Sequence, residues 1–61
     1  MTRYEKKGDT LYFYLGEDKE ETAVYEKKSG LVTFWKSLTI WEMNEVTSAI
    51  NKAVYENRVK K

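Results

Sequence analysis

The hydrophobic period of this chain changes once, and that change limits its fold more than any other feature. Between Tyr4 and Trp35 the apolar residues come in short runs that a period of two sorts onto two faces, as with Leu11, Phe13 and Leu15 against Tyr12 and Tyr14. After Lys36 they recur at helical spacing, as in Met43, Val46, Ile50, Ala53 and Val54. Side chains alternate across a strand but return about every 3.6 residues along a helix, so the switch predicts strands first and a helix last. Sixty-one residues leave room for one domain and one small core. The expected fold is therefore α+β: a single-layer antiparallel β-meander of three to four strands and two hairpins, packed on one C-terminal α-helix. Strands are expected at about 2–7, 10–16, 21–28 and 31–37, and the helix at about 40–58.

The strand region contains an internal echo. Tyr4-Glu5-Lys6-Lys7 returns as Tyr25-Glu26-Lys27-Lys28, and each copy runs into a glycine turn and a second apolar strand, Leu11 to Leu15 and Leu31 to Trp35. Gly8-Asp9 suits a two-residue turn in which glycine supplies the positive φ, and Ser29-Gly30 marks a second turn. Two-residue turns would set Tyr4 opposite Phe13 and Tyr25 opposite Phe34. Opposed residues share a face. Tyr4, Leu11, Phe13, Leu15, Ala23, Tyr25, Val32 and Phe34 then form the face expected to be buried. Tyr12, Tyr14, Val24, Thr33 and Trp35 form the opposite face, which a single helix leaves open.

Thr39 followed by Glu42 is a capping box, with Leu38 and Met43 at the hydrophobic-staple positions, so the helix should begin near Ile40. Its apolar stripe serves the buried sheet face. Trp41, Ser48, Lys52 and Tyr55 fall on nearly the opposite side.

Composition argues against several chemistries. The chain has no histidine, cysteine or proline, which removes the commonest general base, the thiolate nucleophile and the usual zinc ligands. The acidic loop Glu17-Asp18-Lys19-Glu20-Glu21 lacks the alternating spacing and central glycine of a calcium loop. No glycine-rich phosphate loop is present. The expectation is a non-catalytic protein with no metal, cofactor or small-molecule substrate. The N-terminal residues are charged and the apolar run Leu11–Leu15 is too short for a leader or a membrane span, so a cytoplasmic location is expected.

Two binding readings remain. The first is protein recognition through the open aromatic face, with Tyr12, Tyr14, Val24, Trp35, Trp41 and Tyr55 as partner-binding candidates. Tyr and Trp offer large rigid area with a polar handle. Lysine-rich, asparagine-bearing composition suggests an AT-rich source, so the expected role is that of a phage or mobile-element accessory protein. Such a protein would bind a larger host protein, or a second copy of itself, and block or redirect it.

The second reading starts from Ser48-Ala49-Ile50-Asn51-Lys52-Ala53-Val54 with Arg58 following. This segment resembles the DNA-reading helix of the lambda Cro repressors. The resemblance covers about a fifth of the chain and implies that Ser48, Asn51 and Lys52 face a major groove, as in a small DNA-binding regulator, with Arg58 as a further nucleic-acid candidate. That family places a helix and a tight turn before the reading helix, whereas here the preceding segment Val32–Trp35 is strand-like. A sheet followed by a helix is also similar to the arm-type DNA-binding domains of phage integrases. With eleven basic against ten acidic side chains, nucleic-acid binding is expected to be weak.

Overall fold

The computed structural model describes residues 1–59, and of the last two of these the backbone alone. Four strands, β1 (Thr2–Lys7), β2 (Thr10–Leu15), β3 (Ala23–Glu26) and β4 (Leu31–Phe34), form one antiparallel sheet in chain order. A single helix, α1 (Ile40–Val59), follows. The expected α+β meander on a C-terminal helix is the fold observed.

The first hairpin closes as its sequence requires. Lys7 pairs with Thr10, Gly8 and Asp9 make the turn, and Gly8 has φ +61°. Tyr4 lies opposite Phe13, and their rings stack at 5.4 Å.

The second hairpin differs. Glu26 pairs with Leu31, so four residues, Lys27–Gly30, form the loop, closed by the Gly30 amide donating to the Glu26 carbonyl at 2.8 Å. The Ser29 hydroxyl donates to Glu26 Oε1 at 2.9 Å and steadies the loop, while Gly30 takes the left-handed conformation. Tyr25 consequently faces Val32, not Phe34, which pairs with Ala23. A loop longer by two shifts the register by two, so every residue keeps its expected face.

Strand ends also depart from expectation. β2 stops at Leu15 because Gly16 turns away at φ +62°. β3 starts at Ala23 rather than near Glu21. The Thr22 amide donates to the Phe13 carbonyl at 2.8 Å, although Phe13 is in register with Ala23. Two residues thus oppose one, a β-bulge that ends regular pairing. β4 ends at Phe34, one residue before Trp35, whose amide still donates to the Thr22 carbonyl at 2.9 Å.

The core forms between the sheet and α1. Leu11, Phe13 and Ala23 from the sheet meet Val46, Ile50 and Ala53 from the helix, with Leu15, Tyr25, Phe34, Leu38, Ala49 and Val54 packed around them. The capping box is present in both directions. Glu42 N donates to Thr39 Oγ1 at 3.2 Å, and Thr39 N donates to Glu42 Oε1 at 2.9 Å.

The helix lies mainly over β1 and β2. The inner side chains of β4 are therefore only partly covered: Val32 is exposed and Phe34 half-buried. Tyr4, expected inside, sits on the other edge strand and keeps about two-fifths of its surface in water, 39 %. Met43, expected on the buried stripe, also keeps about a third of its surface in water, 36 %.

Candidate functional site

The six partner-binding candidates divide between two layers. Tyr12, Tyr14, Val24 and Trp35 share the sheet face turned away from the helix. Trp41 and Tyr55 lie on the solvent side of α1, both strongly exposed, with Trp41 at 78 %. They do not form one surface with the sheet residues, because the helix packs on the opposite side of the sheet.

On the outer sheet face the two tyrosines are not bare. Register sets Arg3 opposite Tyr14 and Glu5 opposite Tyr12. The Arg3 guanidinium covers the Tyr14 ring with its carbon 4.6 Å from the ring centroid, and Lys7 Nζ lies 5.6 Å from the centroid of Tyr12. Such cation–π contacts are favourable where the ring is sheltered from water. Arg3 is held in place by donating from Nη2 to the Asp18 carbonyl at 2.7 Å. Tyr14 Oη donates to Glu5 Oε1 at 3.4 Å. Tyr14 is left with 8 % of its surface exposed. The expectation that its ring is open is corrected: the cation row of β1 folds over it.

This environment holds the Tyr14 hydroxyl in its neutral form. Burial raises its pKa above 10.0, the nearby Glu5 and Glu21 carboxylates and the Glu5 hydrogen bond raise it further, and Arg3 opposes them.

What remains open on this face runs along β4. Trp35 is 63 % exposed and Leu31 66 %, while Tyr12 and Val24 are half-buried. The Trp35 backbone is nonetheless anchored by its amide bond to Thr22. Beside it, Lys36 Nζ meets Asp18 Oδ2 at 3.0 Å, so this neighbouring cation is neutralised within the chain. Leu31 was not singled out from the sequence, because its exposure depends on β4 being an edge strand.

The helical candidates of the DNA reading, Ser48, Asn51 and Lys52, all face solvent. The side chain of Arg58 lies outside the described residues. The element before α1 is β4 and not a helix, so among the described residues the helix pair of a helix-turn-helix is absent.

A groove of about 260 Å³ is lined by Leu11, Tyr25, Lys27, Val54 and Asn57, but the Asn57 amide already donates to the Ala53 carbonyl at 2.8 Å. Among the described residues no group of three or more acidic side chains is placed to hold a metal ion. Among the same residues, no helix is long and apolar enough to cross a membrane. Comparison with protein-family models, curated proteins and solved structures gives no match.

Proposed function

We propose that this chain is a non-catalytic binding module that docks a larger protein through the outer sheet face around Trp35. This is the mode of action of a cytoplasmic phage or mobile-element accessory protein that blocks or redirects a larger host protein. The observation that carries the reading is Trp35: an indole exposed to 63 % on a backbone pinned to Thr22. A large rigid side chain on a fixed strand loses little conformational freedom when it enters a pocket, which is why aromatic anchors dominate interfaces. Leu31, Val24 and Tyr12 surround it with apolar area, and the Arg3 and Lys7 rim supplies polar specificity.

The test compares capture of host proteins by the wild-type chain and by Trp35→Ala, at low and high salt. A discrete partner retained in high salt and lost with Trp35→Ala supports the reading. Equal capture by both proteins overturns it.

The exposure of Ser48, Asn51 and Lys52 favours a second reading, a small DNA-binding regulator. Phosphate-dominated binding weakens steeply with salt. Duplex DNA titrations that show tight, salt-sensitive binding, lost in Asn51→Ala and Lys52→Ala, would place the function on the helix instead.

A further inference from the structure

The two edges of the sheet are built differently. β1 carries Arg3, Glu5, Lys6 and Lys7, and charged side chains are a usual protection against strand addition. β4 and the residue after it, Leu31-Val32-Thr33-Phe34-Trp35, carry no charge, no proline and no bulge. Edges of that composition recruit another strand.

The backbone of β4 is also poised for pairing. The bond from the Trp35 amide to the Thr22 carbonyl marks a hydrogen-bonded pair in the β3–β4 register. Antiparallel pairs alternate, so Leu31 and Thr33 turn their amides and carbonyls toward β3, and Val32 and Phe34 turn theirs to the open edge.

We infer that β4 is a self-association edge, and that its occupant is β4 of a second copy, antiparallel and centred on Thr33. In that register Val32 exchanges backbone hydrogen bonds with Phe34 of the other copy, twice by symmetry. On the outer face Leu31 falls beside Trp35 of the other copy, again twice. The two most exposed apolar side chains of the sheet thus cover each other. On the inner face Val32 meets Phe34, the pair that the helix leaves part-open.

Nothing repels at the twofold axis. The nearest charge along the strand, Lys36, is already paired with Asp18 at 3.0 Å. The assembly also stops at two. Joining the β4 edges of two four-stranded sheets leaves only the charged β1 edges at its ends. A closed isologous dimer follows, rather than a growing fibre.

The inference deepens the function proposed above and rests on the same outer face. Dimerisation would set the two Trp35 residues on either side of the central Thr33 pair, each packed edge-on against Leu31 of the other copy and still presenting its outer face, in one continuous surface offered to a partner.

The test uses sedimentation of the full chain and a single-cysteine variant. The wild type should sediment as two copies. Val32→Pro removes an edge-facing amide without removing a bond to β3, so the fold should persist and association should weaken at least tenfold. Non-hydrogen-bonded antiparallel partners lie about 4.5 Å apart, within disulfide reach. Because the chain has no native cysteine, Thr33→Cys should cross-link cleanly to its copy, and Glu5→Cys on the other edge should not.

A wild type that stays monomeric, with no Thr33→Cys cross-link, overturns the edge pairing. The proposed function then survives if Trp35-dependent capture of a host protein persists. A dimer that resists Val32→Pro but dissolves with Trp35→Ala is face-to-face and also overturns it. A dimer lost with Val32→Pro, while host capture ignores Trp35→Ala, supports the edge and removes the face reading. If Val32→Pro unfolds the sheet, the cysteine pair decides alone.

Discussion

Arg3 and Tyr14 are direct cross-strand partners, and the guanidinium carbon of the first stands 4.6 Å from the ring centroid of the second. One contact thereby settles how much of the outer face is free. It turns an exposed tyrosine into a covered one and moves the open apolar surface toward β4.

This contact has a titration signature. The Tyr14 pKa is raised above 10.0, with burial as the first cause and Glu5 as the next. A raised folded-state value means that its contribution to stability is full below the unfolded-state pKa and is lost as pH climbs through the folded one. In an absorbance titration of the five tyrosines, Tyr14 should ionise in a late step, above 10.0. Tyr14→Phe should remove the late step. Arg3→Ala should raise the rate at which a nitrating reagent reaches Tyr14. The lack of a step above 10.0 that Tyr14→Phe removes would contradict the described shelter.

Phe13 and Trp35 should respond in opposite ways to truncation. Phe13 is fully buried, beside Leu11 and Val46, so Phe13→Ala should cost about 3–5 kcal/mol through lost burial and a cavity. Trp35→Ala removes a side chain that mostly faces water and should leave the melting curve nearly unchanged. Urea unfolding of both variants measures this directly. A Trp35→Ala protein as damaged as Phe13→Ala would mean that the outer face is structural.

The helix start offers a smaller, cleaner test. Thr39 Oγ1 accepts from Glu42 N at 3.2 Å. Thr39→Ala should cost about 1 kcal/mol, the usual loss for an N-cap. Helix content from circular dichroism should hold in the native state while the unfolding midpoint drops. An unchanged midpoint would show that Leu38 packing alone sets the start.

Local chemistry made much of this fold readable. The Gly8-Asp9 turn, the Thr39–Glu42 box and the change of period each depend on neighbouring residues, and each appears where the sequence places it. The second hairpin was readable in face but not in register, because Ser29-Gly30 fits a two-residue or a four-residue loop and only the whole sheet chooses. The cover on Tyr14 was in principle legible. A two-residue turn at Gly8-Asp9 sets Arg3 opposite Tyr14, and an arginine opposite a tyrosine lies over it. The exposure of Leu31 was not legible, since it depends on β4 lying at the sheet edge with the outer face beside it open.

Acid should loosen the N-terminal strand through Glu45. Its carboxylate lies 2.9 Å from the Met1 ammonium and accepts from Thr2 Oγ1 at 3.1 Å. These contacts, the ammonium hydrogen bond first and Thr2 second, lower its pKa from 4.5, against a smaller opposing effect of burial. A depressed folded-state value gives stability that is present above the unfolded-state pKa and lost as pH falls through the folded one. Partial exposure and salt keep the contribution small. Glu45→Gln should flatten the acid limb of the stability curve below about pH 4.5 and change little near neutrality. An acid limb identical in the two proteins would place the sensitivity elsewhere.

Thr22 carries the most local consequence for its size. It sits at the bulge with its side chain fully buried, and no motif around it announces that role. Its hydroxyl oxygen accepts from the Leu15 amide at 3.2 Å, its amide donates to the Phe13 carbonyl, and its carbonyl accepts from Trp35. One residue therefore ties the end of β2 to the backbone that presents the exposed indole. Thr22→Val keeps the shape and removes the hydroxyl, leaving the Leu15 amide short of a partner in a part-buried position. The cost should be about 1–3 kcal/mol, the range for an unsatisfied buried donor. Thr22→Ser keeps the oxygen and should recover most of that loss. Amide exchange at Leu15 and Trp35 reads the effect residue by residue, and both should speed up in Thr22→Val. If Leu15 exchanges faster but Trp35 does not, the bulge steadies β2 alone, and the rigidity of the Trp35 backbone must come from β3.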